Sequence, residues 1–155
     1  MKNQNTQHSE GPSGMPRHNR ASGKPKAALV PKRRILCVDD EIVGSTLRAK
    51  ALEEHGYSVT LYHCPIAVLR CDFSKIDLAI IDFQMPGLNG RELLLRMRAL
   101  GARFPIVLLT GCVDSLSCDD RVLFARCIDK SQHTKSLLDA IAEFLGLNQI
   151  PNSGA

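Results

Sequence analysis

At 155 residues, 44% hydrophobic and 23% charged, the chain suits one globular core with a tail and is short for two cores. No apolar stretch approaches the roughly 20 residues needed to cross a bilayer, and the polar N-terminus lacks a signal-peptide core, which argues against a membrane-embedded or exported protein and for a cytoplasmic one. The net charge of +4 is unevenly placed: residues 1–34 carry eight Lys or Arg against Glu10 alone, giving +7, while the remainder carries −3.

Residues 1–31 are rich in Asn, Gln, Ser, Gly, Pro, Lys and Arg, with hardly an apolar residue before Ala27. Such a segment cannot bury enough surface to order itself, so a disordered basic tail is expected. Lys24, Lys26, Lys32, Arg33 and Arg34 suit an arm that touches a polyanion, but a solvated leader, or a true start at Met15, is the preferred reading. The folded part, residues 32–147, begins with a strand at Ile35–Val38 and a helix at Glu41–His55 closed by Gly56. Tyr57–Tyr62 reads as the second strand, with Val59 and Leu61 alternating against Ser58 and Thr60. A short helix at Pro65–Cys71 precedes a third strand at Ile76–Ile81. A helix at Asn89–Leu100 stops at Gly101, and Ile106–Leu109 is a fourth strand between Pro105 and Gly111. A weaker helix at Ser115–Leu123, a strand at Ala125–Ile128 and an amphipathic helix at Thr134–Leu145 complete the pattern, leaving a short C-terminal tail over 148–155.

Five strands in strict alternation with five helices predict an α/β fold with a doubly wound parallel sheet, covered on both faces, which explains why the strands are continuously apolar. In open sheets of this kind ligands collect beyond the carboxyl ends of the strands, where strand order reverses. Asp39, Asp40, Asp82, Thr110 and Lys130 all fall at those ends or one step past them. Capping a helix is an alternative use for Asp40, which stands just before the first helix, but capping does not account for three carboxylates at matching strand ends. The six cysteines have irregular spacings and no CxxC pair, so they are expected to be reduced thiols. No histidine is assigned a catalytic role.

Two like charges ~4 Å apart repel by about 4 kcal/mol at an effective dielectric near 20, so a carboxylate cluster needs a counter-charge or must take up protons. Magnesium is suited to that place, because it prefers an octahedron of oxygens and retains waters that an incoming phosphoryl oxygen can replace. Asp40 and Asp82 are expected as direct ligands, Asp39 through water, and the backbone carbonyl of Gln84 as a further oxygen. Lys130 adds a positive charge and Thr110 a hydroxyl donor. Together these are what an aspartate nucleophile at Asp82 needs to accept a phosphoryl group.

The segments Val38-Asp39-Asp40-Glu41, Ile81-Asp82-Phe83-Gln84-Met85-Pro86-Gly87-Leu88-Asn89-Gly90, Leu109-Thr110-Gly111 and Asp129-Lys130 resemble, in order and interval, the receiver domain of two-component response regulators. The resemblance covers about Arg33 to Leu147. It implies a flavodoxin-like sheet of strand order 2-1-3-4-5. It also implies phosphorylation of Asp82 by a sensor histidine kinase or histidine phosphotransfer protein, magnesium on Asp39 and Asp40, and a relay from Thr110 and Lys130 to the fourth helix, fifth strand and fifth helix. Such a domain would catalyse its own phosphorylation and hydrolysis without being an enzyme in the ordinary sense. Output would pass to a downstream protein as a shift between two packings.

Three positions depart from the family pattern. Ser131 stands where a proline usually follows the lysine, and since a cis peptide before a non-proline residue costs ~2.5–4 kcal/mol, Lys130 is expected in a trans loop with altered reach. Cys127 replaces the usual aromatic switch residue, which removes the ordinary rotamer signal. Asp114, Cys118, Asp119 and Asp120 make the fourth helix acidic and a weak helix former, predicting an unusual or mobile signalling face. Other phosphate chemistries fit worse. Gln84 occupies the place of the second aspartate of a haloacid-dehalogenase phosphatase, no GxxxxGK[ST] or GxGxxG follows the first strand, and Asp39-Asp40-Glu41 would repel a flavin phosphate. Nucleic-acid binding lacks aromatic interleaving or a helix-turn-helix. The expectation is therefore a stand-alone, phosphorylatable receiver acting in a phosphorelay through protein contacts. A receiver-fold module that works without phosphorylation is the alternative.

Overall fold

Runs of Ile, Leu and Val too short for a helix and too apolar for a surface become strands covered on both sides, and their helical connections force them parallel. The computed structural model describes residues 31–147, so the basic tail apart from Pro31, and the C-terminal tail over 148–155, lie outside the described residues. Strands β1 (Arg34–Val38), β2 (Ser58–Tyr62), β3 (Leu78–Asp82), β4 (Ile106–Thr110) and β5 (Arg126–Asp129) alternate with helices α1 (Ile42–Glu54), α2 (Pro65–Val68), α3 (Gly90–Ala99), α4 (Cys118–Leu123) and α5 (Thr134–Phe144). All pairings are parallel, and the order is β2-β1-β3-β4-β5, as the family resemblance implies.

The pleat divides each strand between two cores. Leu36, Val38, Ala79, Ile81, Ile106 and Leu108 pack with Val68 of α2, Leu93, Leu94 and Met97 of α3, and Phe124 just after α4. Ile35, Cys37, Leu78, Ile80, Val107, Leu109 and Ile128 pack with Leu52 of α1 and Leu137, Ala140 and Ile141 of α5. Each fully buried Leu or Ile contributes about 1.5–3 kcal/mol relative to exposure, so the sheet is anchored from both faces. Cys37, 2% exposed in the middle of β1, has its thiol pushed up to about 12 by burial. All six cysteines are free thiols.

Several element boundaries differ from expectation, those of the helices through side chains that cap locally. Helix α1 is capped by Glu41, whose carboxylate accepts the Val43 and Gly44 N–H groups at 2.9 and 2.7 Å, so Asp40 is left out of the cap. The second helix ends at Val68 instead of Cys71, and Asp72 starts a separate 3₁₀ turn over Phe73–Lys75 by accepting the Ser74 N–H at 3.1 Å. The fourth helix begins at Cys118 instead of Ser115. A 3₁₀ turn at Val113–Ser115 precedes it, and Ser117 in extended backbone accepts the Asp120 N–H. The third strand runs to Asp82, so the phosphoacceptor candidate is held by the sheet itself.

The turn leaving β3 is built tightly around two glycines. Gly87 has φ +80°, a left-handed conformation that side chains resist. Gly90 opens α3 after the Asn89 cap and donates its N–H to Phe83 O at 2.9 Å. A Cβ on Gly90 would lie 2.6 Å from the Asp82 carbonyl oxygen and 3.0 Å from Phe83 Cα, both backbone atoms that cannot step aside. Gly90→Ala should therefore destabilise the domain by about 1–3 kcal/mol, the range for overpacking. Urea unfolding of the two proteins checks this, and unchanged stability would show that the turn relaxes freely.

Candidate functional site

The carboxyl ends of β1, β3, β4 and β5 meet at one rim. Asp39 follows β1 directly, and its backbone N–H is held by Tyr62 O at 3.1 Å, at the end of β2. Asp82 ends β3 opposite Leu109, and Thr110 ends β4 opposite Asp129. The Thr110 carbonyl accepts the Lys130 N–H at 2.8 Å, which brings the lysine alongside. The sequence thus places a buried carboxylate at one strand end, a buried hydroxyl at the next, and a lysine one step beyond the last.

The side chains converge. Oxygens of Asp39, Asp40 and Asp82 lie within 4.8 Å of one another, and Asp39 and Asp82 are buried while Asp40 is exposed. The Lys130 Nζ lies 2.9 Å from Asp82 Oδ2 and 3.1 Å from Asp39 Oδ2, bridging the two buried carboxylates. The reach of Lys130 is therefore intact with Ser131 in the proline position. An Asx turn, in which Asp129 Oδ1 accepts the Ser131 N–H at 2.8 Å, shapes that loop. Asp40 makes no ion pair among the described residues, which leaves its oxygens open to solvent or a cation. Thr110 Oγ1 accepts the Cys112 N–H at 3.3 Å and has its own proton to donate. Gln84 is exposed, and its backbone N–H is directed at the Asp82 carboxylate.

Burial raises the Asp82 carboxyl above the ordinary range, while hydrogen bonding and charge from Lys130 draw it back and Asp39 adds to the rise. Burial alone would lower the Lys130 ammonium, but its hydrogen bonds to Asp82 and Asp39 outweigh that and raise it. The pair is held charged by mutual contact in a site that disfavours isolated charge. Three carboxylate oxygens in one small volume are a hard-oxygen donor set that fits magnesium, so the chemistry of the residues present and the implied ion agree.

Two contributors were not apparent from motif reading. Arg48 of α1 donates to Asp39 Oδ2 at 3.1 Å with its side chain 18% exposed. The available signal was positional: Arg48 lies on the stripe of α1 formed by Ser45, Ala49 and Leu52, all buried. The other is His63, whose Nδ1 lies 3.0 Å from the Asp39 backbone oxygen. The acidic α4 is held by contacts to its neighbours: Asp120 pairs with Arg91 of α3 at 2.9 Å, and Arg121 donates to the Val113 carbonyl at 2.6 Å. Cys127 is half-buried against the core that includes Leu116 and Phe124.

A model of the response regulator receiver domain matches residues 35–142. The chain belongs to that family. Among curated proteins, this receiver is 38% identical over 79 residues to the regulatory protein VanR of Enterococcus faecium, covering 50% of this chain and 34% of that one. It is 39% identical over 80 residues to the transcriptional regulatory protein RprY of Bacteroides fragilis, covering 51% and 34%. The chain thus spans about a third of the length of these relatives. Of solved structures, the response regulator protein TrrA of Thermotoga maritima, in complex with magnesium and beryllofluoride, superposes with a TM-score of 0.64 at 29% identity over 73% of this chain and 99% of that one. The receiver domain of a sensor histidine kinase from Pseudomonas aeruginosa shares the fold, with a TM-score of 0.68 at 24% identity over 75% and 99%. Receiver domains are in general signalling domains and not enzymes. Among the described residues no helix is long and apolar enough to cross a membrane.

The direction of the Asp82 shift has a measurable consequence. A carboxyl raised above its unfolded value favours the fold most below the unfolded pKa, and the benefit is lost as pH rises through the folded value. Ionised Asp82 therefore costs stability near neutral pH. Without divalent metal, Asp82→Asn should raise stability there, read as a higher Tm. The gain should shrink as pH falls towards about 4, the ordinary carboxyl range, as Asp82 takes up its proton. Thermal melts at both pH values check this, and a destabilised variant at neutral pH would contradict it.

Proposed function

We propose that this receiver accepts a phosphoryl group on Asp82 from a sensor histidine kinase or histidine phosphotransfer protein and signals through contacts with a downstream protein. The observation that carries the reading is the shared ammonium: Lys130 bridges Asp39 and Asp82 at 3.1 and 2.9 Å, beside the free Asp40 carboxylate. In the transfer, an Asp82 carboxylate oxygen forms a bond to phosphorus as the P–N bond of the phosphohistidine breaks, and the electron pair leaves with the imidazole, which takes up a proton. Asp82 must be ionised to attack, and Lys130 holds it so against the pull of burial. Once the aspartyl phosphate forms, Lys130 would follow the new phosphoryl oxygens, and the Thr110 hydroxyl would donate to one of them.

Asp40 and Asp82 would hold magnesium directly, with Asp39 through water and the backbone carbonyl of Gln84 completing the protein's share. The ion supplies neutralisation of charge on the transferring phosphoryl oxygens. TrrA, the relative at 29% identity, is a response regulator whose structure holds magnesium and beryllofluoride, which supports the same chemistry here. Asp39 suits the indirect role, because Oδ1 already accepts the Glu41 N–H at 3.0 Å and Oδ2 already faces Lys130 and Arg48. The domain would catalyse its own phosphorylation and the later hydrolysis of the aspartyl phosphate. A cytoplasmic location suits a partner of this kind.

Incubation with acetyl phosphate and magnesium should add one phosphoryl mass to the intact protein, with no adduct in Asp82→Asn or with the metal chelated. Intact-mass spectrometry reads the result. No adduct under conditions that label an ordinary receiver would favour a module acting without phosphorylation, the reading that Cys127 at the switch position makes worth testing.

A further inference from the structure

We propose that Arg48 is a positioning residue of the phosphoacceptor site: a built-in second cation that neutralises Asp39, opposes magnesium in the resting site and frees Lys130 for the phosphoryl group. This inference rests on the magnesium-assisted phosphoacceptor reading and concerns what sets the metal's affinity.

Lys130 alone faces two buried carboxylates, at 3.1 and 2.9 Å. One ammonium divided between two acceptors cannot follow a phosphoryl group on Asp82 without leaving Asp39 less compensated. Arg48 removes that conflict. Its Nη1 lies 3.1 Å from Asp39 Oδ2, the oxygen that Lys130 also approaches, while Asp39 Oδ1 accepts the Glu41 N–H. Asp39, with its side chain 3% exposed, therefore retains a cation and a backbone donor when Lys130 moves. Desolvation makes this pair matter more than a surface ion pair would. A guanidinium also stays charged at any working pH, so this compensation does not titrate away.

The same arrangement alters the balance of charge. Asp39, Asp40 and Asp82 set three negative charges against Lys130 and Arg48, so the resting site is close to neutral instead of strongly anionic. A less anionic site attracts a divalent cation less and an incoming phosphoryl dianion more. With magnesium carrying two charges and the guanidinium within a few ångströms of the ligand cluster, the repulsion at a solvent-exposed rim corresponds to roughly a fivefold to tenfold loss of magnesium affinity.

Arg48→Gln and Arg48→Lys separate charge from structure. Arg48 lines an open cleft between α1 and the start of α5, together with Leu47, Lys130, His133 and Leu137, so shortening it admits water instead of leaving a sealed void. Isothermal titration of the whole chain with magnesium chloride, without phosphodonor, should show Arg48→Gln binding about fivefold to tenfold more tightly than the unmodified protein at low salt. Arg48→Lys should stay within about twofold, and added potassium chloride should narrow the difference. Beryllofluoride binding at saturating magnesium should weaken in Arg48→Gln and be retained in Arg48→Lys. Unchanged or weaker magnesium binding in Arg48→Gln overturns the inference while leaving the phosphoacceptor reading intact. A merely structural Arg48 would give that result, with a lower Tm that magnesium does not recover. If the unmodified protein binds no magnesium at all, both fall together.

Discussion

Two buried carboxylates sharing one ammonium is the arrangement on which the rest of this molecule depends. Asp39 and Asp82 sit at the ends of adjacent central strands, and the fold brings them together whether or not anything neutralises them. A parallel sheet covered on both faces leaves its carboxyl edge as the place where polar side chains can approach one another without sacrificing core. The β4 and β5 ends supply the compensation, because the Lys130 N–H is pinned to the Thr110 carbonyl. The pinned Lys130 backbone thus brings its ammonium between the two carboxylates that the sheet sets side by side.

The same constraint explains the close construction of the turn after β3. Asp82 must be delivered at a fixed height, and the backbone that follows folds back so tightly that Gly90 packs against the Asp82 carbonyl. Asn89 caps α3 by accepting the Glu92 N–H, so the helix that covers one face begins immediately. At the far side, Arg91 of α3 reaches Asp120 of α4. The helix that begins beside Asp82 is thus joined to α4 by an ion pair.

Much of this was legible in the residues themselves. Continuously apolar strands gave away a parallel sheet, and carboxylates at matching strand ends located the rim, because both are local patterns that the fold merely assembles. The strand order entered through family resemblance, since periodicity carries no information about which strands are neighbours. What could not be read were features decided by one side chain reaching out of its own element. Glu41 took the cap that Asp40 could have occupied, Asp72 and Ser117 redrew the ends of short helices, and an Asx turn at Asp129 shaped the loop that lacks proline. Arg48 is the clearest case. Its contact with Asp39 spans nine residues and follows only from how α1 lies on the sheet. An arginine on an otherwise buried stripe was the sole local sign of it.

Cys37 has a different kind of consequence. It lies in β1 between Ile80 of β3 and Leu61 of β2, is 2% exposed, and holds a thiol whose pKa is about 12. Cys64, Cys112 and Cys118 are exposed. A thiol reagent should therefore meet a graded set of sulfurs: the three exposed ones react in the native state, the half-buried Cys71 and Cys127 react more slowly, and Cys37 reacts only when the sheet parts. The slowest phase of modification would time the opening of the central strands, with the native Cys37 as the reporter and no substitution required.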